Sequence, residues 1–220
     1  MPASGFYSAH VGGGTPLKLV PLAPHAVPMW LGYKLLFPGM WLLWAVYWLV
    51  ASRHAKPSER REPIASRLLH VLPLLLAAAL LWVEHVPIAW LNRRLFPWVA
   101  WEFWIAALIT ALGLLFTVWA RLSIGRNWSA VVTIKQGHEL IDTGPYALVR
   151  HPIYTGLLVA FIGSAFARGE WRAALAVLIA LAALWRKLRL EEHWLTERFG
   201  QQYVAYSRRV PALMPFCKWN

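Results

Sequence analysis

Residues 137–156 read GHELIDTGPYALVRHPIYTG, a long polar, glycine-containing stretch inside an otherwise apolar chain. It joins one apolar run ending near Leu122 to another beginning at Pro152. Gly144-Pro145 is a turn dipeptide, because glycine permits backbone angles and close approaches that other residues forbid. Arg150 and His151 stand directly before Pro152, and proline is tolerated only in the first turn of a helix. The stretch therefore delivers His138, Tyr146, Arg150 and His151 onto a helix N-terminus, where free backbone N–H groups favour an anionic group. The pattern predicts a ligand cradle; the plainer alternative is a solvated connector between two membrane helices.

Outward from this stretch the chain is oily. Its 220 residues are 59% hydrophobic and include 15 Trp, which predicts an all-α integral membrane protein. Five apolar stretches stand out, at about Leu35–Ala51, Leu68–Val83, Phe103–Ala120, Pro152–Ala167 and Ala173–Trp185. A full span needs roughly 20 residues at about 1.5 Å each, so the last two are short. Only Arg168-Gly169-Glu170 separates them, which predicts a tight C-terminal helical hairpin. Beyond Trp185 the helical period continues through Leu188, Leu195 and Phe199, with Gly200 as the C-terminal cap. The expected architecture is one structural domain of about five transmembrane helices with a cytosolic extension. Residues 1–120 form a lead-in and three spans; residues 121–220 form the catalytic region.

Charge sets the orientation. The formal net charge of +12 comes from basic residues clustered beside apolar spans, which points to an anionic lipid leaflet and not to nucleic acid. Sixteen Lys and Arg fall on the side of the central loop and tail, against six on the other. The positive-inside rule then puts the N-terminus outside and the C-terminus in the cytosol. Trp30, Trp41, Trp98, Trp101 and Trp171 fit an aromatic belt, and His54, His70 and His85 read as interfacial. A single cysteine, Cys217, leaves no internal disulfide and no thiolate cage. No metal motif, dinucleotide fingerprint or Walker loop is present, so no metal is expected.

Three polar groups remain as carriers of chemistry: the loop 137–151, the pair Glu191-Glu192, and the arginines near 208. Adjacent helical residues point about 100° apart, so only one glutamate can fully face a site. Their plain reading is an i,i+4 ion pair with Lys187.

Residues 121–216 resemble the isoprenylcysteine carboxyl methyltransferases, their bacterial relatives and the phospholipid N-methyltransferases. The matching text is Asn127-Trp128; H-x-L at His138–Leu140; and T-G-P-Y-x-x-x-R-H-P-x-Y-x-G from Thr143 to Gly156. It continues with E-E-x-x-L at Glu191–Leu195, F-G-x-x-Y-x-x-Y from Phe199 to Tyr206, and R-V-P at Arg209–Pro211. The resemblance implies S-adenosylmethionine as cofactor, held by His138, Glu139, Leu140, Ile141, Tyr146, Arg150, His151, Pro152, Ile153, Tyr154 and Glu191. The donor's carboxylate suits a helix N-terminus and His151, its sulfonium an aromatic face, its ammonium Glu191. Lys187 stands where the family resemblance implies an arginine toward the acceptor; lysine supplies a point charge without the bidentate fork.

Methyl transfer by in-line displacement asks the protein to hold nucleophile and methyl group together in a dry site. A carboxylate acceptor is already ionised; an amine needs a base, for which Glu192 is the candidate, with Lys187 or Arg209 meeting the acceptor's head. The partners implied are a lipid-like or prenylated acceptor and membrane lipid, in what resembles a bacterial inner-membrane protein. The alternatives are a nicotinamide-dependent membrane reductase of related fold and a non-enzymatic carrier. Reporter fusions at the two termini test the topology: opposite sides are expected, and the same side would exclude five spans.

Overall fold

A computed structural model describes residues 29–53, 58–97, 100–125, 133–135 and 140–215. The elements in order are α1 (Met29–Ser52), β1 (Ser58–Arg61), α2 (Ile64–Trp82), a short 3-10 turn (Ala89–Asn92), α3 (Ala100–Ile124) and β2 (Thr133–Lys135). They continue with α4 (Pro145–Leu148), α5 (Pro152–Arg168), α6 (Trp171–Phe199) and α7 (Gln201–Arg209). The all-α expectation holds, with one addition: β1 and β2 pair antiparallel, tying the first loop to the central one. Helices α1, α2 and α3 are long and apolar enough to cross a membrane, whereas α5 has only 17 residues. The last apolar stretch and its charged continuation form one helix, α6, of 29 residues.

Helix boundaries follow local chemistry. Pro152 opens α5, and Gly169 closes it at φ 63°, a left-handed angle that favours glycine. Gly200, at φ 52°, separates α6 from α7. Pro38 and Pro73 sit inside continuous helices, α1 and α2.

The centre of the bundle is the seam between α3 and α5. A Cβ on Gly156 would stand 2.6 Å from the Gly113 carbonyl oxygen and 3.0 Å from the Thr117 nitrogen. One on Gly163 would stand 2.6 Å from the Thr110 nitrogen. Small residues thus allow the backbones to touch, which is how helices gain contact energy where lipid offers no hydrophobic contrast. Helix α1 hydrogen-bonds to this pair. Trp41 Nε1 donates to Ser164 Oγ at 3.0 Å and Trp44 Nε1 to Thr117 Oγ1 at 2.6 Å. Trp41 therefore also serves as an interhelical donor, which the belt reading did not foresee.

Helix α2 packs Ala77, Leu80 and Leu81 against Ala173, Ala176 and Ala180 of α6. Two arginines finish it. Arg172, fully buried, donates from Nη1 to Val83 O at 2.8 Å and from Nη2 to Glu84 O at 2.7 Å. Arg168 reaches Leu81 O at 3.0 Å, so cations satisfy carbonyls left over at the helix C-terminus.

His70 corrects an expectation. It is buried on α2, accepting from Arg186 Nη1 at 3.2 Å, while Arg186 Nη2 donates to Ser66 Oγ at 2.8 Å. Ser66 and His70, four residues apart on α2, share the face that meets Arg186 of α6, and Glu62, just before the helix, accepts from Ser66 Oγ at 2.5 Å. His85 is exposed as expected; His54, Trp98 and Cys217 lie outside the described residues.

Replacing Gly156 by Val should strain the seam and cost about 1–3 kcal/mol, as overpacking does. Gly39→Ala, where a Cβ meets nothing within 4 Å, is the control. Melting in detergent should fall for the first and hold or rise for the second.

Candidate active site

The site is built where the start of α5, the far third of α6 and the chain after α7 converge. Gly144, at φ 60°, turns the chain into α4, with Pro145 in the first helical position. Tyr146 is buried, and its carbonyl accepts from Tyr206 Oη of α7 at 2.7 Å. Residues 210–213 then run as a strap beside the start of α5. Arg150 N donates to Pro211 O at 2.8 Å, His151 N to Ala212 O at 3.1 Å, and Thr155 Oγ1 to Leu213 O at 2.7 Å.

His151 sits between the two glutamates. Its Nδ1 is 3.6 Å from Glu191 Oε2 and its Nε2 is 3.2 Å from Glu192 Oε1. The glutamates diverge from there, as their 100° offset requires. Glu191 turns toward α5 and accepts from Tyr154 Oη at 2.5 Å. Glu192 turns toward the loop and accepts from Arg150 Nε at 2.7 Å. Lys187, one turn before Glu191, holds its ammonium 5.3 Å over the Tyr154 ring, and that ring stacks on His151 at 5.5 Å. Among the residues proposed from sequence, this brings together His151, Tyr154, Lys187, Glu191 and Glu192.

Others have different surroundings. Arg150 gives Nη1 to Ser207 O and Val210 O, both at 2.8 Å. With Nε on Glu192, its guanidinium pins α7 and the strap in place. Arg209 is 69% exposed on the side chain and lies 3.5 Å from Asp142, outside the His151 cluster. Leu140 and Ile141 are half-buried, Pro152 is buried, and Ile153 packs beside Tyr154, Leu184 and Leu213. His138, Glu139, Asn127 and Trp128 lie outside the described residues.

The electrostatics follow from burial and pairing. Burial alone would favour neutral His151, but hydrogen bonds to Glu191 and Glu192 hold its pKa above the usual value. Burial would raise Glu192, yet His151 and Arg150 bring it down to about 2. Burial would likewise raise Glu191; His151, Lys187 and Tyr154 together keep it below the usual carboxylate value. Both shifts favour ionised glutamates, and His151 is hydrogen-bonded between them. Glu192 is a weak proton acceptor, which does not suit the base role assigned to it from sequence. Burial pushes the phenols of Tyr146, Tyr203 and Tyr206 upward, so all three stay neutral.

The phospholipid methyltransferase family model matches residues 101–202, the span from α3 to the start of α7. Protein-S-isoprenylcysteine O-methyltransferase B of Arabidopsis thaliana is 31% identical over 130 residues, covering 55% of this chain and 64% of that one. The chain is similar to this methyltransferase family across residues 101–202. A probable protein-S-isoprenylcysteine O-methyltransferase of Oryza sativa subsp. indica is 29% identical over 180 residues, 77% of this chain and 88% of its own. The cobalt-zinc-cadmium resistance protein CzcN of Cupriavidus metallidurans is 34% identical over 115 residues, 51% of each chain. The chain thus spans about two-thirds of the Arabidopsis relative and half of CzcN.

The family match leaves out Glu62, Ser66 and His70, a polar cluster bound to Arg186 that sequence reading also missed. Its spacing of four was the available signal. Arg186, which it binds, immediately precedes Lys187.

Stability should depend on pH through the His151 cluster. A raised histidine stabilises fully below pH 6.5 and loses that contribution as pH rises through its folded value. Glu192 contributes above pH 4.5 and loses it as pH falls toward 2. Both contributions are complete between these limits. The melting temperature of the wild type should therefore drop as pH rises above 6.5, and His151→Asn should flatten that slope. An unchanged slope in the variant would refute the charged histidine.

Proposed function

We propose that the chain is a membrane methyltransferase that takes S-adenosylmethionine and methylates a lipid-like or prenylated acceptor. The observation that carries this reading is Glu191. It is an ionised carboxylate whose side chain keeps 24% exposure, held beside the stacked rings of His151 and Tyr154 and beneath Lys187. A carboxylate next to aromatic faces suits a ligand that carries an ammonium and a sulfonium. The first turn of α5, starting at Pro152, offers backbone N–H groups for its carboxylate. His138 and Glu139 complete the cofactor set in this proposal. When bound, S-adenosylmethionine supplies an electrophilic methyl group.

The protein's own part is placement. His151 fixes the rotation of both glutamates, Tyr154 orients Glu191, and the strap with Arg150 closes one wall against water. Lys187 is the candidate to meet the acceptor's head group as a point charge. Because Glu192 is held near 2, it is a poor base among the described residues, which favours an acceptor already ionised at neutral pH: a carboxylate over an amine. An apolar groove of about 380 Å³ runs along α6 beside the strap, lined by Leu178, Leu181, Trp185, Leu213 and Met214. It suits an acceptor with a hydrocarbon tail that remains in the bilayer. The proposed orientation keeps this end of the bundle in the cytosol, following the excess of basic residues there.

Isothermal titration of the detergent-solubilised protein tests the cofactor. S-adenosylmethionine should bind, NADPH should not, and Glu191→Gln should weaken binding at least tenfold, the scale of one charge-assisted hydrogen bond. Binding of NADPH alone would establish the reductase reading, and binding of neither the carrier. A second series holds the acceptor's head group constant and varies its tail. Each methylene should add about 0.8 kcal/mol to partitioning until the groove is filled. Equal methylation of short, freely soluble acceptors would exclude entry from the bilayer.

A further inference from the structure

The opposite end of the bundle holds a second recess that the methyltransfer reading does not use. It is a cleft of about 650 Å³ between the start of α1, the end of α2 and the turn joining α5 to α6. Its apolar lining comes from Tyr33, Pro38, Trp41 and Trp82. Its charged lining is Lys34 and Arg168 against Glu84 and Glu170, with His85 beside them. Among the described residues, two cations in its lining face two carboxylates. It is a dipolar rim set over an aromatic floor.

The parts of this cleft differ in how firmly they are held. Arg168 is committed to the fold: Nη1 and Nη2 reach Leu81, Val83 and Glu84 carbonyls, and its guanidinium lies 5.5 Å over the Tyr33 ring. Its side chain is 10% exposed, and its buried Nε, 3.5 Å from Glu170 Oε1, has no hydrogen-bond partner. Glu170 holds Arg172 Nε at 2.6 Å. Lys34 and Glu84 differ from these. They pair at 2.6 Å, but their side chains are 54% and 72% exposed. An ion pair so wet contributes little and opens readily. Opening it presents an ammonium and a carboxylate side by side at the mouth of an aromatic recess.

We infer that this cleft binds one zwitterionic phospholipid headgroup, its phosphate on Lys34 and its cationic amine on Glu84. The exchange gives Lys34 a phosphate and Glu84 an amine in place of each other, whereas an anionic headgroup would leave Glu84 facing a like charge. The amine's remaining surface meets Trp41 and Trp82, whose faces attract cations. The acyl chains follow Pro38 and the exposed side of α1, where Leu35, Leu42 and Leu43 are open to lipid.

Native mass spectrometry of the full-length protein, released from detergent after equilibration with equal amounts of phosphatidylethanolamine, phosphatidylcholine and phosphatidylglycerol of one chain length, is the test. The zwitterionic lipids should be retained at least fivefold over phosphatidylglycerol. Lys34→Gln with Glu84→Gln should abolish that preference while the melting temperature holds, since both residues are on the surface. Soluble glycerophosphoethanolamine should displace the bound lipid only at concentrations at least a hundredfold higher. Equal retention of phosphatidylglycerol, an intact preference in the double variant, or displacement by the free headgroup at lipid-like concentration would each overturn the assignment.

Discussion

The histidine held between two adjacent glutamates is the constraint on which the site depends. Consecutive residues of a helix point in different directions, so Glu191 and Glu192 can both reach one ring only if that ring is wedged against the helix. His151 occupies that wedge because Pro152 starts α5 immediately behind it and Ala212 holds its backbone N–H from the front. Its hydrogen bonds to both glutamates hold the ring's pKa up and theirs down. Glu191 and Glu192 are both ionised, and Arg150 can serve the second carboxylate and two α7 carbonyls at once. Removing the imidazole would leave two carboxylates at close range with partial burial, which is the costly arrangement the geometry avoids.

This clamp rests on the glycine seam one layer below. Thr155 and Gly156 follow directly from the cap, and Gly156 is where α5 touches the backbone of α3. The close approach fixes the depth of Pro152, hence of His151. At the other end of α5, Arg168 and Gly169 hand the chain to α6 through contacts with α2 and the Arg93–Leu95 segment. The site is thus positioned by packing at the far end of the same hairpin.

Much of this was legible in the sequence, because punctuation residues act locally. Gly144-Pro145, Pro152, Gly169 and Gly200 mark boundaries whatever surrounds them, and the period through Leu188 and Phe199 carries α6 past its apolar part. What a partner decides was not legible. That Trp41 also donates to Ser164, 123 positions away, could not be read from its neighbours in sequence. His70 looked interfacial because nothing nearby in sequence reveals that Arg186 faces it. That Glu191 meets Tyr154 and Glu192 meets Arg150 depends on the rotation of α6 against α5. The pairing of β1 with β2 left no alternation to read, since each strand has only three or four residues.

Helix α6 ties these levels together as a ruler. Arg172 at its start is bound to the end of α2, and Glu191 lies nineteen residues later, about 28 Å along the axis at 1.5 Å per residue. An uninterrupted helix transmits register without loss. One inserted residue between these points would turn the glutamates by about 100° and advance them about 1.5 Å. Neither a loop nor a kink is available between Arg172 and Glu191 to absorb that error. Variation in this segment is therefore confined to exchange of side chains, and its length is as much a determinant of the site as any residue within it.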